Sequence, residues 1–183
     1  MTIRTGPGVL VRDMEVDDCE AVAEVRVRGW QSAYAGLMPQ SYLDAMDVAE
    51  DAELRRGFFA EGNPVVNVAA ERAGLGVIGW GCYGPYREDG RRLDRGELYA
   101  IYVLPEQIGT GAGRALMAEL LARAAADGFP DLALWVLREN GPARRFYERA
   151  GFLPDGAEES FEVDGVLVPE LRYVRALGLP GTV

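Results

Sequence analysis

The spacing of apolar positions along the chain changes several times, and each change predicts an element. Asp17-Asp18-Cys19-Glu20 reads as a helix start, with Asp17 at the N-cap and an acid three residues on, followed by Ala21, Val22, Val25 and Gly29 on one face. That helix is predicted to reach about Tyr34. A short helix over residues 39–46 and a third over residues 50–59 follow, closed by Gly62-Asn63-Pro64. The period then drops to two. Residues 65–70 and 76–83 are β-rich runs joined by a turn at Gly74, as in a hairpin. The charged tract 84–96 is predicted to be irregular. Residues 97–104, Glu-Leu-Tyr-Ala-Ile-Tyr-Val-Leu, form a near-continuous apolar run stopped by Pro105, as expected of a buried central strand.

A glycine-rich segment follows, Gly109-Thr110-Gly111-Ala112-Gly113. After it comes a helix with Leu116, Met117, Leu120, Leu121 and Ala124 inward, ending at Gly128. Residues 132–137 are a second apolar strand. Asn140-Gly141-Pro142 opens a short helix on which Ala143, Phe146, Tyr147 and Ala150 repeat every three or four residues, and Gly151 stops it. Two last strands, at about 158–163 and 166–174, flank a tight turn at Asp164-Gly165. Strand-helix-strand over 97–137 predicts a parallel crossover, and the hairpins at either end predict antiparallel pairs. The sheet is therefore expected to be mixed.

Composition narrows the chemistry. With 183 residues and 49% apolar content the chain fits one domain, and a core of that size needs no disulfide or metal. Cys19 and Cys82 are expected to be core thiols in a reducing cytoplasm. Histidine is absent, which removes Ser-His-Asp and Cys-His nucleophile systems, HExxH zinc sites and any imidazole base. Neither cysteine has a histidine, lysine or helix N-terminus to activate it as an acyl carrier. All 19 basic residues are arginine, against 29 acids, for a net charge of −10. A polyanionic nucleic acid is an unfavourable partner for such a field. The first residues lack the apolar core of a signal peptide, and no run approaches a membrane span, so no membrane partner and a cytoplasmic location are expected. Charge is uneven: residues 1–86 hold 7 Arg and 13 acids, residues 87–149 hold 10 of each, and residues 150–183 hold 2 Arg and 6 acids. The neutral middle suits an anionic ligand and the acidic flanks a cationic one; acidic flanks also simply aid solubility.

Three glycines in five residues, between a strand and a helix, turn the backbone tightly and aim its N–H groups outward at the positive end of the helix dipole. Such a loop cradles an anion, above all a pyrophosphate. A Walker A loop is excluded because the chain has no lysine. The dinucleotide pattern GxGxxG fails as well, since Arg114 or Leu116 stands where the last small residue belongs.

Residues 97–117, ELYAIYVLPEQIGTGAGRALM, resemble the central strand and acetyl-CoA loop of the GNAT superfamily of N-acetyltransferases, including the Pro-Glu before the loop. Residues 134–140, LWVLREN, with Ala143, Phe146-Tyr147-Glu148-Arg149 and Gly151-Phe152, are similar to that family's later strand and helix. Over residues 11–46 the Asp at the helix start and the W…AY.G…P…L pattern resemble its N-terminal helices. The three blocks follow one another in the family's order and spacing.

The resemblance implies a single N-acetyltransferase domain over residues 1–183, with its core at about 9–177. The implied fold is of the α+β type, a mixed, mostly antiparallel central sheet flanked by helices and splayed at the cofactor site. It implies acetyl-CoA as co-substrate, without a metal, its pantetheine arm along Tyr102 and Val103. Its pyrophosphate would lie on the loop of Ile108, Gly109, Thr110, Gly111, Ala112, Gly113 and Arg114. Arg114 adds a charge-assisted bond or is simply a solvated first-turn arginine. One position departs from the family: Ile108 stands where Arg or Gln is usual, with Gln107 one step early. The main-chain donors survive that change; a side-chain contact does not.

Transfer to an amine needs a neutral nucleophile, donors for the oxyanion and an acid for the leaving thiolate. By the same resemblance Glu97 is the base, acting through water, or else an ordinary strand-end charge. A main-chain N–H near Val103 is the oxyanion donor. Tyr147 is the acid, or packs beside Phe146. Asn140 caps the following helix or contacts the pantetheine arm. The acceptor pocket would be walled by the first helices, the 84–96 tract and the final hairpin, with Trp30, Tyr34, Tyr83 and Tyr86 as aromatic walls or as core. An acidic pocket draws a cationic amine, small molecule or peptide. A homodimer is the default assembly. The competing reading is a non-catalytic acyl-CoA-binding regulatory module of the same fold.

Overall fold

The structure, a computed structural model, describes residues 3–4, 8–60, 63–88 and 91–178. Among these, eight strands form one sheet: β1 (Ile3–Arg4), β2 (Val9–Asp13), β3 (Val66–Arg72), β4 (Gly76–Glu88), β5 (Arg91–Val103), β6 (Asp131–Leu137), β7 (Leu153–Val163) and β8 (Val166–Ala176), in the order β1-β2-β3-β4-β5-β6-β8-β7. Helices α1 (Cys19–Ala33), α2 (Gln40–Asp44), α3 (Val48–Ala60), α4 (Ala112–Ala126) and α5 (Gly141–Arg149) connect them. The predicted crossover is present, since β5, α4 and β6 place β5 and β6 parallel while every other neighbouring pair is antiparallel. The sheet is mixed and mostly antiparallel, as expected.

Three differences from the sequence reading have local causes. Residues 84–88 and 91–96, expected to be irregular, extend the antiparallel pair β4–β5, and irregularities at Cys82/Tyr83 and Pro85/Arg87 break the alternation and disguise the strands. The first helix begins at Cys19, because a 3₁₀ turn over Val16–Asp18 precedes it; there the capping box joins Glu15 and Asp18, and Asp17 is no cap. β2 was too short and too close to the N-terminus to register, yet Val9 and Val11 are buried.

Each face of the sheet has its own core. Against α4 and α5, Leu116 and Leu120 pack on Ile78, Leu98, Leu132, Leu134, Phe152 and Tyr173, all nearly sealed from solvent. Against α1, Cys19, Val22 and Val25 meet Ala69, Trp80 and Cys82. A third cluster of Met38, Leu43, Leu137, Val163 and Val168 fastens the α1–α2 connection to the β7–β8 hairpin, where Ser41 Oγ donates to Asp164 at 2.9 Å. Both cysteines are free and buried; contrary to the sequence reading Cys19 does open a helix, but burial raises its pKa, and burial pushes the Cys82 thiol up to about 12, so both stay protonated.

Candidate active site

The parallel pair β5–β6 is short. Its ladder holds two register pairs, Gly96 with Leu132 and Glu97 with Ala133. Beyond Glu97 the strands part, although β5 continues to Val103 and β6 to Leu137. Along Tyr102 and Val103, β5 pairs with Trp80 and Gly79 of β4 on one edge, while its edge toward β6 is unpaired and leaves a cleft that an extended ligand could enter as an added strand.

The glycine loop lies at the C-terminal end of β5. Gly109 (φ 81°) and Gly111 (φ 94°) are both left-handed, a conformation that costs an L-residue roughly 1–2 kcal/mol, and an added Cβ at either would meet open space. The space is thus on the loop's outer side. Gly111 caps α4, and the first-turn N–H groups of Ala112, Gly113 and Arg114 have no intrahelical acceptor; no acid in that turn offsets their positive field. Thr110 Oγ1 donates to the Gln107 carbonyl at 2.8 Å, and Gln107 accepts from Arg72 at 2.8 Å. Gln107 therefore ties the loop to β3, a use the sequence did not disclose. Ile108 is 66% exposed, and Arg114 is exposed without an ion-pair partner among the described residues. This donor set, open on one side and unneutralised, fits a pyrophosphate.

Tyrosines converge on the cleft. Tyr102 Oη and Tyr34 Oη are 3.0 Å apart, and the Tyr34 ring meets Trp30 edge-on at 4.9 Å. Tyr102 stacks on Trp80 at 6.5 Å and presses on α1 at Gly29, where a Cβ would come within 3.2 Å of its ring, so glycine lets the helix approach. Tyr147, on α5, packs edge-on against Phe146 and Phe152, and burial raises its pKa, with the neighbouring Tyr34 adding to the shift. Its hydroxyl has no hydrogen-bond partner among the described residues and stays protonated, so it can donate to something bound in the cleft. Asn140 is buried and accepts from Ala143 N at 3.1 Å, the expected cap. Trp30 Nε1 is buried without a partner among the described residues.

Glu97 sits where the strands part. Burial lifts its pKa to about 7, and the charge of Glu159 pushes the same way against the pull of Arg87. Glu170 is raised to about 7 as well, by burial first and then by Glu159 and Glu97. Glu159 and Glu170 face each other across β7 and β8, and Glu170 is opposite Leu137 of β6. Glu97 thus lies at the last rung of the β5–β6 pair, and Glu170 with Glu159 lies further along β6, level with Leu137, where the charges of Glu159 and Glu97 both raise Glu170. Sequence reasoning named only Glu97. The missed signal was a carboxylate at 170 in step with buried Val168 on the inward face of an alternating strand, a position that rarely tolerates a charge without a use.

Two expected wall residues are elsewhere. Tyr83 lies in the α4-side core, its hydroxyl donating to Asp127 at 2.6 Å. Tyr86 is buried beneath Arg172, which donates to its hydroxyl at 3.0 Å. Trp30 and Tyr34 do border the cleft through Tyr102.

A glycine loop therefore opens a helix at the end of a strand that parts from its parallel neighbour, in a mixed, mostly antiparallel sheet. Comparison with known proteins identifies the family. The model of the acetyltransferase (GNAT) family matches residues 28–152. YuaI of Bacillus subtilis (strain 168), named an uncharacterized N-acetyltransferase, is 34% identical over 164 residues, 89% of this chain and 90% of its own. Mycothiol acetyltransferase of a Nocardioides strain is 29% identical over 155 residues, 82% of this chain and 52% of the relative. The solved structure of YncA, a putative acetyltransferase from Salmonella typhimurium with its cofactor acetyl-CoA, superposes with a TM-score of 0.68 over 94% of this chain and 95% of that one, at 19% identity. The chain belongs to the acetyltransferase (GNAT) family, a family of acyltransferase enzymes.

Proposed function

We propose that the protein transfers the acetyl group of acetyl-CoA directly to a primary amine that carries further positive charge, on a small molecule or a peptide. The observation that carries this reading is the placement of Glu97 at the last rung of the β5–β6 pair, with Glu159 and Glu170 paired across β7 and β8 beyond it, near enough for the Glu159 charge to raise both Glu97 and Glu170. Acetyl-CoA supplies an activated thioester. Main-chain groups of Tyr102 and Val103 pair with its pantetheine arm, a main-chain N–H near Val103 stabilises the developing oxyanion, and the amides of the 108–114 loop hold its pyrophosphate. Asn140 sets the start of α5 and so the placement of Tyr147.

Glu97 takes the proton from the bound ammonium through water; with its value near 7 it is a stronger base than an ordinary carboxylate. As the amine nitrogen bonds to the acetyl carbon, the carbon–sulfur bond breaks, the Tyr147 hydroxyl gives its proton to the departing sulfur, and the surplus proton on nitrogen leaves through water to restore the phenol. Glu170 and Glu159 hold the second positive charge of the acceptor. A cytoplasmic site of action accords with the acetyl-CoA requirement.

The test has two parts: calorimetric titration with acetyl-CoA, NADH and ATP, then CoA release with matched monoamines and diamines. Selective acetyl-CoA binding with turnover that prefers diamines is expected. Binding without turnover on any amine would favour the non-catalytic module; equal turnover of monoamines and diamines would sink the cationic acceptor.

A further inference from the structure

A cavity of about 280 Å³ lies between the C-terminal half of α3 and strands β3 to β5. Its walls include Met14, Phe58, Phe59, Trp80 and Tyr99. Its lining includes none of the carboxylates or of the converging tyrosines of the transfer cleft, from which Trp80 divides it by stacking on Tyr102.

One charged side chain lines the cavity, Arg55, and it is only 8% exposed. Its Nε donates to Asp51 Oδ2 at 2.7 Å, and its guanidinium lies 4.1 Å over the Trp80 ring, so its direction is fixed twice. Its two terminal nitrogens have no hydrogen-bond partner among the described residues. Nor does Asp51 balance it fully, since Asp51 Oδ1 also accepts from Arg26 at 2.7 Å. Two guanidiniums share one carboxylate, and no described carboxylate lines the cavity itself. The amide groups nearby are already engaged: Asn67 Oδ1 accepts from Trp80 Nε1 at 3.1 Å, and Asn63 Oδ1 accepts from Val65 N at 3.2 Å.

A fixed, buried guanidinium with free N–H donors in an apolar cavity selects a planar anion with an apolar body. Size narrows this further. A dry cavity of on the order of 150 Å³ accommodates benzene, so the volume here suits a ring with a short side chain. We infer that this cavity is a binding site for a small monocarboxylic acid with an aromatic or comparably compact apolar body, its carboxylate on the terminal nitrogens of Arg55. The inference uses different residues from the acetyl-transfer reading and stands or falls apart from it.

The experiment is calorimetric titration of the whole protein with 3-phenylpropionate, and with 3-phenylpropanamide and 3-phenylpropylamine as neutral and cationic matches. Saturable binding of the acid, at least tenfold tighter than the amide, and none of the amine are expected. Arg55→Gln, which leaves Asp51 its Arg26 partner, and Val65→Phe, which fills the cavity from β3's approach, should each weaken binding tenfold or more. Val65→Phe carries the test if Arg55→Gln fails to fold. Absence of saturable binding to the unaltered protein, equal binding of the three probes, or affinity for the acid unchanged in a folded variant overturns the assignment.

Discussion

Burial makes two side chains of the proposed site, Glu97 and Tyr147, hold their protons more tightly than their ordinary pKa values would. Glu97, lifted to about 7, is protonated below that value and can accept a proton only above it, so kcat/KM should fall as pH drops through about 7. Glu97→Gln should lower kcat/KM by about 10²-fold and abolish that limb. Glu170→Gln removes a negative neighbour and lowers the Glu97 value, so the limb should move to lower pH. A rate profile from pH 5 to 9 on the three proteins checks all of this. Tyr147 is shifted upward by burial too, and for a phenol that keeps on the proton an acid has to give. Tyr147→Phe should cut kcat about 10²-fold and leave acetyl-CoA affinity within about twofold, read by steady-state kinetics beside calorimetry. At this scale the sequence exposed Glu97 and Tyr147 through local motifs. It hid Glu159 and Glu170, whose meeting depends on the register of two strands and on which face each presents.

At the scale of elements, the β5–loop–α4 unit was legible because glycine spacing, Pro105 and the periodic helix all act locally. The long arms of the β4–β5 hairpin were not, since their bulges and charges imitate a loop. The loop's dependence on left-handed backbone yields a sharp test. Gly111→Val places a β-branched residue at φ 94°, where no comfortable conformation exists. Acetyl-CoA affinity should fall at least 10²-fold by calorimetry, because the α4 cap and its N–H groups turn away together; far-ultraviolet circular dichroism should stay near that of the parent, since α4 keeps its packing through Leu116 and Leu120.

For the whole molecule, a net charge of −10 with a neutral middle segment means that the two proposed ligands meet different fields. Raising ionic strength from about 0.02 to 0.5 M shortens the Debye length from roughly 20 to 4 Å. KM for a dicationic acceptor should then rise several-fold, while KM for a monoamine should move little; initial-rate measurements at fixed acetyl-CoA distinguish the two. The domain's outline could be read from the order of helices and strands. The Arg55 cavity could not, because it is assembled from a helix and three strands whose local patterns say only "core". The two-rung junction of β5 and β6 has a further consequence, for tolerance of substitution. Within the hydrogen-bonded sheet, that junction joins the part that carries the glycine loop to the part that carries Glu159 and Glu170. On the proposed reading, substitutions at the outer positions of the β7–β8 hairpin, away from buried Tyr173 and Val168, change the surroundings of the acceptor with little effect on the glycine loop.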